Sequence, residues 1–108
     1  MNDIDTVVAR AIPLIDDTHV QILRVSSNSP VTAVAGSIAN ALREQPVVYV
    51  QAIGMSAVYQ AIKAVVIARS YLSEEGLDLI EQPAYVTIKD RPGLERTAVR
   101  MTLWVYPL

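Results

Sequence analysis

The sequence predicts an α+β fold of two layers, in which two helices pack on a four-stranded mixed sheet. Apolar residues alternate in some segments and recur at helical spacing in others, which together give the element order βαβαββ. The turn DRPG joins the last two strands into a hairpin. The apolar residues are mainly Val, Ile, Leu and Ala, with no Phe, and this suits helices packed closely on a sheet. At 108 residues, the chain is long enough for one core.

Composition excludes several classes of protein. With 52% hydrophobic and 19% charged residues, most of the chain is expected to fold, and the net charge of −2 argues against a strong general binder of polyanions. The absence of cysteine excludes disulfides and zinc–cysteine sites. No stretch reaches the ~20 apolar residues of a membrane span, and MNDIDTVVAR has acids where an export signal needs bases. We therefore expect a cytoplasmic protein without membrane contact.

The acidity is concentrated at the start of the chain. Residues 1–20 hold four of the 11 acids and one of the nine bases, so the remainder carries 8 bases against 7 acids. We interpret residues 1–19 as an acidic N-terminal extension and residues 20–108 as one folded domain.

The first half of that domain reads as strand, helix and strand. HVQILRVSS alternates apolar and polar residues, which predicts the first strand. Ser29 is a suitable N-cap and Pro30 a suitable first helical residue, so we expect the first helix to run to about Arg43. The valines of QPVVYVQAIG predict a central second strand, after which Gly54 turns the chain.

The second helix, Ala57 to about Leu72, is apolar around much of its circumference. One side carries large residues, and the other is a stripe of small ones. Because one side faces the sheet and the other has no evident cover, we predict a self-association surface. We assign this oligomer interface to the small residues, Ala57, Ala61, Ala64 and Ala68, which we call the alanine stripe.

Two long strands, Leu77–Lys89 and Glu95–Tyr106, close the chain. Pro83 cannot donate a backbone hydrogen bond, so the first of these strands must lie at an edge of the sheet or contain a bulge. A hairpin of this length is expected to project from the domain.

The hairpin turn is flanked by the bases Lys89, Arg91 and Arg96. Such a projecting basic tip can contact a phosphate backbone or enter a groove. The alternative is that these bases form surface ion pairs with Asp90 and Glu95, which would be worth little.

Further polar residues lie near the predicted helix starts. Arg24 and the loop Ser26–Ser29 precede the first helix, where free N–H groups can bind a phosphate, although ordinary capping explains the same residues. Gln51, Gln60 and Lys63 lie near the second turn and the first turns of the second helix. Lys63 can equally be a solvated helix residue.

Residues that carry catalytic chemistry are few. His19 is the only histidine, and DDTH places it near Asp16 and Asp17. A metal site there needs a fourth ligand, and a solvated linker is the plainer interpretation. The chain has no catalytic-triad spacing, P-loop or GxGxxG motif. We therefore expect no enzymatic activity, no metal and no cofactor.

Six segments, in order and at compatible spacing, resemble the stage V sporulation protein S (SpoVS) family: ILRVSSNSPVTAVAGSIANAL, QAIG, AVYQAIKAVVIARSYL, LDL, QPAYV and ERTA. The resemblance covers roughly residues 21–108. That family looks like the Alba fold of chromatin and RNA-binding proteins, a βαβαββ two-layer domain that dimerises. The resemblance implies a small regulator that binds DNA or RNA as a homodimer and is linked to sporulation, cell division or development.

The sequence departs from the Alba pattern in two loops. Alba proteins are typically basic before the first helix and around the glycine after the second strand, whereas those places here hold Asn28, Ile53 and Met55. The hairpin is therefore the main basic element. Each missing phosphate contact weakens binding and flattens its salt dependence.

Two hypotheses for function follow. In the first, the domain binds nucleic acid through the hairpin, with polar contacts nearer the dimer centre. The residues assigned to this site are Arg24, Ser27, Asn28, Gln51, Gln60, Lys63, Lys89, Arg91 and Arg96. In the alternative, the chain is a protein-assembly or regulatory adaptor that oligomerises through its second helix and binds no nucleic acid. The neutral loops support the adaptor, and the family resemblance favours the first hypothesis.

Overall fold

The computed structural model describes residues 19–108, so the predicted acidic extension lies outside the described residues except for His19. The strands are β1 (Ile22–Val25), β2 (Val48–Ala52), β3 (Leu77–Arg91) and β4 (Leu94–Pro107), and the helices are α1 (Val31–Glu44) and α2 (Met55–Ser73). Within this range the predicted order βαβαββ is confirmed, as is the packing of two helices on a four-stranded mixed sheet.

Both helices begin at residues other than those expected. Pro30, not Ser29, precedes the first residue of α1, and the Ser29 Oγ instead accepts the Ser26 N–H at 2.9 Å within the preceding loop. α2 begins at Met55, two residues early, because Gly54 turns the chain with a φ of 89°. Only glycine adopts that left-handed conformation without strain.

The strand order in the sheet is β1-β2-β4-β3. β1 runs parallel to β2, while β4 is antiparallel to both of its neighbours. β3 therefore lies at an edge, as Pro83 requires, and a bulge shifts its register between Lys89 and Arg91. Of the two alternatives predicted from Pro83, an edge or a bulge, the edge position is the one observed at this residue.

The core lies between the two helices and one face of the sheet. Val48, Val50 and Leu103 are fully buried on that face, and Ile38 of α1 and Leu72 of α2 cover them. Because successive strand residues point to opposite faces, the residues that alternate with these lie on the other face of the sheet.

The alanine stripe of α2 packs inside the chain. Ala61, Ala64 and Ala68 have no exposed surface, and Ala57 is nearly as buried. These small side chains let α2 approach α1 and the sheet closely. The assignment of the oligomer interface to Ala57, Ala61, Ala64 and Ala68 is therefore wrong, because these residues have no surface to offer a second chain.

The outer side of α2 carries large apolar residues. Met55, Tyr59, Ile62 and Val66 are 88%, 62%, 45% and 62% exposed, and their spacing of four, three and four residues places them on one side of the helix. A shallow cavity of about 160 Å³ joins Ile62 and Val66 to Leu79 of β3. We call Met55, Tyr59, Ile62 and Val66 the apolar stripe.

The β3–β4 hairpin extends beyond the rest of the sheet. β2 ends at Ala52, opposite Val99, so residues 94–98 of β4 and their partners in β3 have no neighbour in β2. Five strand residues span about 17 Å. We call this projecting part, residues 86–98, the hairpin arm.

Candidate nucleic-acid interface

Most of the predicted site residues lie at one end of the sheet, where strands β1 and β2 finish. The parallel strands β1 and β2 end side by side, at Val25 and Ala52, so α1 and α2 both begin there. The hairpin arm projects from the same edge. Each helix start presents N–H groups and the positive end of the helix dipole. We call this part of the molecule the loop edge.

A cavity of about 510 Å³ opens at the loop edge. The predicted binding residues that line it are Arg24, Ser27, Gln51 and Arg96. They come from β1, its following loop, β2 and the hairpin arm, so the fold brings together residues far apart in the chain. Among the residues of the described chain that line the cavity, none is acidic. The cavity is therefore suited to an anion.

Arg100 holds the Gln51 side chain in place. The Arg100 Nε and Nη2 atoms both donate to Gln51 Oε1, at 3.0 and 2.9 Å. The same guanidinium lies 4.9 Å from the centroid of the Tyr49 ring. The forked hydrogen bond and the cation–π contact fix both side chains. Gln51 Oε1 accepts both of these bonds, and the amide Nε2 is left to donate to a ligand.

The start of α2 adds backbone donors to the same cavity. Met55, Ser56 and Ala57 line it, and no side chain in the described range caps the helix. The first N–H groups of a helix have no intrahelical acceptor, so they bind water or an anion. The cavity therefore combines two arginine side chains, one amide and a helix start.

Serine hydroxyls order the loop between β1 and α1. The Asn28 N–H donates to Ser26 Oγ at 3.3 Å, while the Asn28 side chain stays exposed. Gln60 of α2 donates through Nε2 to the Ser29 carbonyl oxygen at 2.9 Å. Gln60 thus ties α2 to the loop, and the exposed Asn28 side chain lies where a ligand at the loop edge can reach it.

The tip of the hairpin arm carries Lys89 and Arg91. The Lys89 Nζ atom is 3.9 Å from Glu95 Oε1, and both side chains are well exposed. The ion pair offered above as an alternative role for Lys89 is therefore present, but it is long and solvated and so contributes little. Arg91 and Lys89 also line a cavity of about 450 Å³ at the turn.

Lys63 lies apart from the cavity. Its Nζ atom is 4.7 Å from the ring centroid of Tyr59, one turn earlier on α2. Tyr59 belongs to the apolar stripe, so Lys63 borders that stripe, and it does not line the cavity at the loop edge.

Sequence analysis did not assign Arg100 or Ser56 to the binding site. The role of Arg100 depends on the register of β2 and β4, which places it opposite Gln51. No local pattern carries that information, because the two residues are separated by 49 positions in the chain. Ser56 had a usable signal, since it follows the turn at Gly54 and marks the start of a helix.

The functional groups at the loop edge suit an anion more than a metal ion. In the part of the chain that the structure describes, no group of three or more metal-binding side chains comes together. No helix among residues 19–108 is long and apolar enough to cross a membrane. The functional groups at the loop edge are guanidinium, amide, hydroxyl and backbone N–H groups, all of which donate hydrogen bonds to phosphate oxygens.

Comparisons with known proteins agree with the sequence and the fold. The family model described as stage V sporulation protein S (SpoVS) matches residues 21–106. Among solved structures, the chain is similar to Alba from Thermoplasma volcanium, with a TM-score of 0.55 and 14% sequence identity. That match covers 78% of this chain and 99% of the other. The family predicted from the sequence and the Alba-like fold are both confirmed.

Proposed function

We propose that this chain, which belongs to the SpoVS family, is a regulatory protein that binds DNA or RNA through its loop edge and hairpin arm. The observation that carries the proposal is the convergence of Arg24 and Arg96 on one cavity beside the start of α2. The family description supports a link to sporulation, and we extend the proposal to regulation of sporulation, cell division or development in the cytoplasm.

The loop edge and the hairpin arm suit a phosphate backbone better than an isolated ion. Arg24 and Arg96 mark the cavity, and Lys89 and Arg91 lie at the tip of the arm. A nucleic-acid strand repeats its charge every few ångströms, so a strand lying across the loop edge meets both groups of cations. Contacts of this kind position a backbone without reading its sequence.

We further propose that the protein acts as a homodimer whose second copy covers the apolar stripe. Single exposed apolar side chains are ordinary, but a continuous row along one helix marks an interaction surface. The shallow cavity beside Ile62 and Val66, which the buried Leu79 and the charged Arg69 and Glu81 also line, adds to the contact area. A dimer built on α2 presents two loop edges and two arms, and both copies then share one nucleic-acid ligand.

The apolar stripe also supports the second candidate function, an assembly adaptor that binds no nucleic acid. Both candidates require self-association through α2. They differ only in what the loop edge binds. Nucleic-acid affinity and oligomeric state must therefore be measured separately.

The first experiment is fluorescence anisotropy with a mixed-sequence DNA duplex and with a single-stranded RNA, each over a salt series. The proposal predicts that affinity falls steeply as salt rises. The logarithmic slope is about −0.9 per phosphate contacted on a duplex and about −0.7 on a single strand, so it counts the contacts. Absence of binding to either ligand at low salt would leave the adaptor as the function.

A pair of variants tests whether the loop edge and the arm are the site. Arg91→Gln removes a charge from the arm, and we expect weaker binding and a slope reduced by about 1 for each site lost. Arg43→Gln removes the same charge at the far end of α1, where Arg43 pairs with Glu75 at 2.7 Å, and should change neither quantity. Equal losses in both variants would indicate general attraction and contradict the assigned site.

A further inference from the structure

The cavity at the loop edge contains more hydrogen-bond donors than the described chain satisfies. At the start of α2, the N–H groups of Met55, Ser56 and Ala57 have no capping side chain among residues 19–108. These groups carry partial positive charge, and the three residues line the cavity. By itself, such a helix start attracts any anion, so its specificity depends on the side chains that face it.

Gln51 is a second and independent donor. The residue is only 6% exposed, and its Oε1 atom is occupied by Arg100. Its Nε2 atom has no acceptor within the described residues, and the residue lines the cavity, so the amide N–H groups open into it. The Nε2 atom can therefore donate to a ligand oxygen that enters the cavity.

Two arginines complete the set of donors. Arg24 is exposed and makes no hydrogen bond or ion pair with any other residue of the described chain. Arg96 reaches the same cavity from the hairpin arm. A guanidinium group donates several parallel hydrogen bonds to phosphate oxygens. Residues with donor groups therefore line the cavity from β1, β2, β4 and the start of α2.

We propose that this cavity binds a terminal phosphate monoester, carried either by a free nucleoside monophosphate or by the phosphorylated end of a strand. The second source rests on the proposed function, whereas the first does not. A monoester has three terminal oxygens and a charge near −2, while an internal phosphodiester has two such oxygens and a charge of −1. A monoester therefore offers more acceptor oxygens and more negative charge than a diester to the donors that line the cavity.

The size and walls of the cavity favour a nucleotide over inorganic phosphate. Its volume of about 510 Å³ falls in the range of about 300–1,000 Å³ typical of small-ligand sites. The apolar side chains of Ile53, Met55 and Ile88 line it beside the donors. They provide a surface for the sugar and base of a ligand whose phosphate lies at the start of α2.

The first arm of the test uses one short single-stranded RNA in three forms. These carry a 5′-phosphate, a 3′-phosphate, or hydroxyls at both ends, with the fluorophore on an internal base. We expect a terminal phosphate to tighten binding about tenfold, the change that follows from charge-assisted hydrogen bonds absent in the hydroxyl form. The second arm titrates adenosine 5′-monophosphate and adenosine by calorimetry, and only the monophosphate should bind.

A matched pair of variants locates the effect. Ser56→Glu places a carboxylate among the donors at the start of α2, where a negative charge favours the helix, so the fold should be retained. It should abolish both the advantage of the terminal phosphate and the binding of the monophosphate. Ser70→Glu makes the same change at an exposed position near the other end of α2 and should leave both intact.

The outcomes separate this proposal from the proposed function. If the three RNAs bind equally and the monophosphate does not bind, the cavity proposal is wrong while nucleic-acid binding stands. If no RNA binds but the monophosphate does, and Ser56→Glu abolishes it, the ligand is a free nucleotide and the proposed function is wrong. Binding that survives Ser56→Glu would overturn the proposed cavity.

Discussion

Both sides of α2 are apolar, but the small side chains face the core and the large ones face outward. This is the reverse of the usual arrangement. The alanine stripe, Ala57 to Ala68, is buried in the core, whereas the apolar stripe, Met55 to Val66, is exposed. An amphipathic helix commonly buries its large residues and leaves small or polar ones outside. Here the chain uses the smallest apolar side chains for its own core.

The difference shows that side-chain size, more than polarity, decides which side of this helix packs inside. Alanines allow α2 to lie close to α1 and to the sheet, and Val65 and Leu72 fill the space that remains. The large residues of the outer side are not needed for that packing. Their burial requires a second surface, which is why they indicate an interface.

A charge placed on each side in turn gives the largest contrast. Ala64→Glu puts an unpaired carboxylate at a site with no exposed surface, so we expect a loss of several kcal/mol and an unfolded or aggregated chain. Val66→Glu, the matched control on the outer side, should change the free energy of unfolding of a single chain by less than about 0.5 kcal/mol, when both proteins are compared at a concentration low enough for dimers to dissociate. Urea denaturation followed by circular dichroism measures both. A well-folded Ala64→Glu protein would show that the alanine stripe is not inside.

A larger apolar residue tests size without changing polarity. Ala61→Leu should lower the free energy of unfolding by about 1–3 kcal/mol, because the extra atoms have no space between α2 and its neighbours. Ile62→Leu, on the exposed side of the same turn, should have almost no effect. The measurement is again urea denaturation, and a stabilised Ala61→Leu protein would mean that α2 packs loosely and that size is not the criterion.

Gln60 lies between the two sides and joins α2 to the loop after β1. Gln60→Ala removes its hydrogen bond to the Ser29 carbonyl oxygen and should cost about 1 kcal/mol in thermal or chemical denaturation. Gln60→Glu keeps the length of the side chain but cannot donate, so it should cost at least as much. If neither variant changes the stability of the fold, this hydrogen bond does not contribute to it.

Substitutions on the outer side of α2 should affect assembly while leaving the fold of one chain almost unchanged. Val66→Glu or Ile62→Glu is expected to convert dimers to monomers in sedimentation velocity, because a charge in the proposed contact cannot be solvated. Ser37→Glu, which adds the same charge at an exposed position on α1, should remain dimeric. Dimers that persist in Val66→Glu would place the interface elsewhere and leave the exposed row of large residues unexplained.

The smallest effect is expected beyond the end of α2, where Glu75 is solvated. Hydrogen bonds from the Arg43 guanidinium hold the pKa of the Glu75 carboxyl below its ordinary value. A lowered pKa stabilises the fold above the unfolded-state pKa, and this contribution is lost as the pH falls through the folded-state value. Glu75→Gln should therefore be slightly less stable than the original chain at neutral pH and equal to it in strong acid. Urea midpoints across the acid range, with Glu74→Gln as the control, measure the difference.

The order of elements could be predicted because each boundary has its own local signal. Gly54 turns the chain, DRPG makes the hairpin, and Pro83 assigns its strand to an edge. The burial of the alanine stripe could not be predicted in the same way. Both sides of α2 have apolar residues at helical spacing, and only the distance between α2 and α1 in the folded chain decides between them.

The candidate site was predictable as residue types but not as an arrangement. Arg24, Gln51 and Arg96 could each be singled out from the sequence as polar residues near turns. Their meeting in one cavity depends on the parallel register of Arg24 and Gln51 and on the length of the hairpin arm. The uncapped start of α2 depends in turn on the helix beginning two residues earlier than its sequence pattern indicates.

The position of β3 has a consequence for how the protein behaves at high concentration. The strand is 15 residues long, about 50 Å, and no strand of the described chain pairs with its outer edge. A free edge of that length is a template on which identical chains can stack into fibrils. Pro83 interrupts its row of N–H groups, and the bulge between Lys89 and Arg91 bends it beside two positive charges. The long β3–β4 hairpin, which includes the hairpin arm, therefore carries features along its free edge that oppose polymerisation.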